Sequence, residues 1–148
     1  MLYNLTKSSP DFVIVCDTRI CPSIENTVRE EWGGKCLLNS FSSQARGVAL
    51  FMKKGNTAQV LDSFGDENGN VLAILINFHG KRILLEGLYG PNNDSPNFYS
   101  DLAFKKIDDW SPEFSIFAGD YNIALNPTLD TRNYLHDNNP NARRELLN

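Results

Sequence analysis

The chain has 148 residues, 41% of them hydrophobic and 22% charged, which suits one globular unit with a sizeable core. Its 14 basic residues against 18 acidic ones leave a formal net charge of -4, which excludes a module that holds nucleic acid by bulk positive charge. No apolar stretch is long enough to cross a bilayer, and the first residues do not read as a secretory signal, so an intracellular protein is expected.

In chain order, Leu2 and Leu5 read as the tail of a helix stopped by Ser8-Ser9-Pro10. Residues 11–17 then form a buried strand that ends on an acid, Asp17. Pro22-Ser23 opens a helix with Ser23 as its cap, Ile24, Val28 and Trp32 as its apolar stripe, and Gly33-Gly34 as its stop. From there the period is that of strands. Residues 36–41, 47–52, 59–64, 71–78 and 82–88 are apolar-rich runs separated by turn signals such as Lys54-Gly55-Asn56, Glu67-Asn68-Gly69-Asn70 and His79-Gly80, which predicts successive hairpins.

A polar loop over residues 90–96 precedes one helix carrying Phe98, Leu102, Ile107 and Trp110, with Ser95 or Asn97 as cap. Trp32 and Trp110 are read as core. A further strand leads into Gly119-Asp120-Tyr121-Asn122, the chain turns polar after Asp130, and residues 142–147 begin a last helix. Helix ends open at both termini suggest a fragment, although Met1 is equally consistent with a true start. Cys16, Cys21 and Cys36 make a poor disulfide framework, and His79 and His136 stand too far from them for structural zinc, so the thiols are expected to be reduced.

The run ending in Asp120 and Asn122 carries the chemistry. Positions i and i+2 of an extended segment share one face, so both side chains reach one centre at the strand's mouth, and Gly119 admits a large neighbour. A carboxylate that moves a proton beside an amide that orients it suits metal-assisted hydrolysis of a phosphate ester. Read without its neighbours, the pair is better explained as an Asx turn. Asp17 likewise reads as a metal ligand or as a strand-end acid paired with Arg19 in water, a contact worth ~0 to 1 kcal/mol. Arg46 is as fitting at the start of a hairpin strand as on a phosphate.

Residues 11–19, Arg46-Gly47-Val48-Ala49, Gly87-Leu88-Tyr89-Gly90-Pro91-Asn92 and Gly119-Asp120-Tyr121-Asn122 together resemble the endonuclease/exonuclease/phosphatase superfamily in order and spacing. The Tyr-Gly-Pro-Asn loop, with Leu129-Asp130-Thr131-Arg132 following, is most similar to the endonuclease domain of LINE-type non-LTR retrotransposons. The resemblance makes residues 1–148 a partial domain of this kind. It implies an α/β (α+β) fold: two packed, mostly antiparallel β-sheets flanked by helices in a four-layer sandwich, incomplete at both ends.

The resemblance also implies roles. Asp17, standing where the family usually has a glutamate, would bind Mg²⁺ or Mn²⁺ on an arm one methylene shorter. Tyr89 would contact the scissile phosphate. Asp120 would align or activate the water or protonate the leaving oxygen, Asn122 would hold the phosphate, and Asn92, Arg46 and Arg132 would bind substrate. The family's upstream asparagine and its later aspartates and histidine have no counterpart here, and His136 lies too close to Asp120 to serve. The chain alone is therefore expected to be weak or inactive.

For the complete domain the resemblance implies metal-dependent nicking of DNA in the nucleus, exposing a 3′ hydroxyl for reverse transcription. It leaves open whether a reverse transcriptase domain shares the polypeptide. A membrane is not expected as a partner. The same core also serves repair nucleases and lipid phosphatases, and a degenerate, non-catalytic remnant is the alternative of a different class.

Overall fold

The computed structural model describes residues 9–130 and 139–148, so the expected first helix, Arg132 and His136 lie outside the described residues. The first sheet has the order β1-β3-β2. In it β1 (Phe12–Cys16) and β2 (Cys36–Asn39) flank β3 (Val48–Met52), both antiparallel, with Cys16 opposite Val48 and Cys36 opposite Phe51. The second sheet runs β4 (Gln59–Gly65), β5 (Val71–Phe78), β6 (Lys81–Tyr89), β7 (Phe114–Asp120). Its first three strands form an antiparallel meander, and β7 joins β6 in parallel. A parallel neighbour needs a crossover, which the helices α2 (Pro96–Asp101) and α3 (Lys105–Trp110) supply.

These are two mostly antiparallel sheets packed face to face and flanked by helices. Between them lie Val48, Leu50 and Met52 against Leu72, Ile74, Ile76 and Leu85. Outside the first sheet, Val28 and Trp32 of α1 (Glu25–Trp32) cover Cys36, Ala49 and Phe51. Outside the second, Tyr99 and Ala103 join Val71, Leu88 and Ala142, the last on α5 (Pro140–Leu147). A short α4 (Pro127–Asp130) precedes it. This layering explains why residues 48–52 and 71–76 read as unbroken apolar runs: both faces of these central strands are covered.

The structure departs from the expected elements in three places. The run of hairpins is interrupted at Met52, because both edges of β3 are already taken by β1 and β2 and the chain must cross to the other sheet to begin β4. Ser23 caps no α-helix; it lies in a 3₁₀ turn (Pro22–Ile24), and α1 begins at Glu25 and ends, as expected, on a left-handed Gly33. The helix over 95–110 is two helices. The Phe104 N–H donates to the buried Glu86 carboxylate at 3.1 Å, and Phe104 takes φ 73°, which ends the helical ladder there. Ser95 precedes Pro96 of α2 without making a side-chain cap bond.

Candidate active site

The parallel pairing of β6 and β7 sets their C-terminal ends side by side, with Tyr89 opposite Asp120. β1, in the other sheet, packs against both strands. Its last residue closes the junction: the Cys16 thiol donates to the Leu88 carbonyl at 3.1 Å. Burial pushes that thiol's pKa up, against the smaller opposing pull of its hydrogen bonds to the backbone of Asp120 and Leu88. Asp17 follows Cys16 directly, so the β1 acid and Asp120 share one edge of the sandwich.

Asp17 sits in a bend held from several sides. Its Oδ1 accepts the Arg46 N–H at 2.8 Å, and its Oδ2 accepts Nε and Nη2 of Arg19 at 3.2 and 3.0 Å. The Arg19 side chain is the main reason its carboxyl lies below the usual range. The Arg19 N–H donates to the Arg46 carbonyl at 2.9 Å and the Thr18 N–H to that of Gly47 at 3.1 Å. Asp17, Arg19 and Arg46 all adopt positive φ, 50°, 55° and 66°, a conformation that non-glycine residues keep only where surrounding contacts dictate it. The Arg46 guanidinium lies over the Phe41 ring, 5.1 Å from its centre, with Nη1 3.5 Å from the Asn68 carbonyl.

Tyr89 is fixed through its backbone. Its N–H donates to the Asn70 carbonyl at 2.7 Å and its carbonyl accepts Asn70 Nδ2 at 2.6 Å. Asn70 is itself held by Asp66, a buried acid that accepts the N–H groups of Asn68, Asn70 and Val71 and so shapes the β4–β5 turn. Among the described residues the Tyr89 hydroxyl has no hydrogen-bond partner.

Beyond the strand mouth, two loops are stitched together. Gly90 N–H donates to the Asp120 carbonyl at 2.7 Å, and Asn122 Nδ2 donates to the Gly90 carbonyl at 2.7 Å. The Asn122 N–H bonds Asp120 Oδ1 at 2.9 Å, and Asn139 Nδ2 reaches the Asn122 carbonyl at 3.0 Å. Two glycines make the approach possible: a Cβ on Gly119 would lie 1.9 Å from the Leu88 carbonyl oxygen, and one on Gly90 2.2 Å from that of Tyr121. Asn92 is exposed in the next loop, which Asp94 anchors by accepting the N–H groups of Asn141 and Ala142 at the start of α5.

The structure thus brings Tyr89, Asp120 and Asn122 together, sets Asp17 and the Arg46 backbone at the same edge, and turns the Arg46 guanidinium onto Phe41. Among the described residues no three acids, histidines or cysteines cluster as a cation would require. Both oxygens of Asp17 already carry donors. The described residues do not by themselves make a divalent-cation site.

Several supports were not read from the sequence. Asn70 reads only as part of the Glu67-Asn68-Gly69-Asn70 turn, and Tyr99 and Glu86 are singled out by no motif. The clue to Tyr99 was a hydroxyl on an apolar helix face, which needs a partner when buried. The clue to Glu86 was a charge inside an apolar strand run.

No family model matches the chain, and no curated protein matches it. Solved structures do. An AP endonuclease from Archaeoglobus fulgidus aligns with TM-score 0.66 at 18% identity, covering 98% of this chain and 61% of that one. D. rerio TDP2 complexed with single strand DNA product gives 0.57 at 16% identity, covering 83% and 52%. The 3′ phosphatase NExo from Neisseria, bound to product DNA hairpin, gives 0.55 at 17%, covering 86% and 56%. The chain therefore shares the fold of these structures, two mostly antiparallel sheets flanked by helices. The chain spans about half to three-fifths of their length.

Proposed function

We propose that this chain carries the phosphate-contacting part of a phosphodiesterase that cuts DNA, in the manner of a LINE-type retrotransposon endonuclease acting in the nucleus. The observation that carries the reading is the register of β6 against β7, which puts Tyr89 beside Asp120 and lets Asn122 tie the two loops. The fold shared with DNA-bound TDP2 and NExo supports DNA as the substrate.

The chemistry assigned to these residues is in-line attack of water on a phosphodiester. Asp120, exposed at the mouth, takes the water's proton or returns one to the leaving oxygen. The Tyr89 hydroxyl donates to a non-bridging oxygen. Asn122 spends one N–H on Gly90 and keeps the other for the phosphate. Donors aimed at charge that grows in the transition state are each worth on the order of 10²-fold or more. Asn92, Arg46 and Arg132 are assigned to the DNA strand, Arg46 by leaving Phe41. Asp17 is assigned to Mg²⁺ or Mn²⁺, and a cation there needs donors beyond those described.

That need favours a second reading, a domain that binds DNA without cutting it. Nicking of supercoiled plasmid with Mg²⁺ and with Mn²⁺ separates the two, run with this chain and with the longest polypeptide its gene encodes. The proposal expects nicked circles from the longer form and a loss of about 100-fold or more with Asp120→Ala. Equal rates for the variant would overturn the catalytic assignment, and binding without nicking by the longer form would establish the second reading.

A further inference from the structure

We infer that Tyr99 is a positioning residue of this site, its buried hydroxyl pinning the Asp120–Asn122 turn against the Tyr89–Gly90 loop. The inference rests on the phosphodiesterase reading for its functional meaning and on geometry for its content. Tyr99 stands on α2 and is 2% exposed, its ring edge-on to Phe98 with centroids 4.9 Å apart. Its hydroxyl donates to the carbonyl of Tyr121, the residue between Asp120 and Asn122. The same oxygen closes on the other loop, since a Cβ on Gly90 would lie 2.4 Å from it. One hydroxyl therefore meets both loops at the point where the Asn122 amide and the Gly90 N–H cross between them.

The bonds between Gly90, Asp120 and Asn122 tie the loops to each other, while Asn70 holds Tyr89 from the β4–β5 turn and Asn139 holds the Asn122 carbonyl from the start of α5. Tyr99 ties the pair to α2, which packs on the sheet beneath and against α5. Burial and the nearby Asp120 charge hold the phenol protonated, with a pKa of about 12, so it remains a donor across the range in which an enzyme works. Without the donor, the Tyr121 carbonyl loses its anchor. Asp120 and Asn122 then wander relative to Tyr89, and small displacements of reacting groups are costly.

The test is Tyr99→Phe, which keeps the ring and removes only the oxygen, in the longest polypeptide the gene encodes. Amide hydrogen exchange followed by NMR reports the pinning without any need for activity. The expected result is exchange about tenfold or more faster at Gly90 and Asn122, with the β5 and β6 interior amides unchanged. In the plasmid assay kcat is expected to fall about tenfold or more with KM near the parent value. Fluorotyrosine at position 99, which retains the hydroxyl, is expected to restore both readings. Unchanged exchange in Tyr99→Phe, or a uniform rise in exchange over the whole chain, would overturn the inference. Faster exchange in the turn with kcat unaltered would overturn the positioning role alone. A parent that never nicks defeats the phosphodiesterase reading and the catalytic meaning of the pinning, while exchange still decides whether the pin exists.

Discussion

Glu86 gives the sharpest pH prediction. It lies in the middle of β6 with no exposure at all; one carboxylate oxygen accepts the Phe104 N–H at 3.1 Å and the other has no partner among the described residues. Burial dominates and pushes its pKa from 4.5 up to about 7, against the smaller opposing pull of the Phe104 N–H. A carboxyl whose folded pKa is raised favours the native state while protonated. Its contribution is full below pH 4.5 and is lost as pH rises through 7. At about 1.4 kcal/mol per pH unit over that interval, the native state loses about 3 kcal/mol. Glu86→Gln holds the neutral form at every pH and keeps an oxygen for Phe104. Urea unfolding of parent and variant at pH 5 and pH 8 should give similar stabilities at pH 5 and a variant about 3 kcal/mol more stable at pH 8. Parallel losses in the two proteins would refute the assignment.

Further outcomes follow from the same geometry. Gly90→Ala should destabilise by about 2 kcal/mol or more in chemical denaturation, because its Cβ would meet the Tyr121 carbonyl oxygen at 2.2 Å and the backbone cannot yield without breaking the loop stitches. Arg19→Ala should change stability by less than about 1 kcal/mol at neutral pH, since Arg19 is 60% exposed and solvent screens its pair with Asp17. What stability that pair adds is present above the normal aspartate range and is lost as pH falls through the lowered Asp17 value, which an acid titration of the variant against its parent checks. Cys16 and Cys36, both raised by burial, should react with a thiol reagent at pH 8 far more slowly in the native chain than in denaturant.

Much of the architecture is readable from the residues because burial is so uneven along the chain. Residues 71–78 form a strand between Asn70 and His79 as expected, since turn residues bound an apolar run covered on both faces. Tyr89 and Asp120 stand opposite each other in the β6–β7 register, while Asn122 lies beyond the strand at φ 52° with its N–H on Asp120 Oδ1, the Asx turn that the pair suggests when read without its neighbours. What stayed hidden acts through main-chain atoms far away in sequence. Asn70 serves Tyr89 across 19 positions and Tyr99 serves Tyr121 across 22, and neither leaves a local pattern. The break at Phe104 was equally invisible, because an acid on a strand 18 residues earlier takes its amide. Arg46 before Gly47 reads equally as the start of a hairpin strand or as a phosphate contact, and its guanidinium rests on Phe41.

The claim that matters most is that the strand mouths of β1, β6 and β7 form the DNA-contacting surface. Titrating the ¹⁵N-labelled protein with a short DNA duplex and following backbone amide shifts tests it directly. The account predicts that shifts gather at residues 17–19, 46–47, 89–92 and 119–122. Shifts confined to the opposite end, around His79-Gly80-Lys81 and Lys53-Lys54-Gly55, would contradict it.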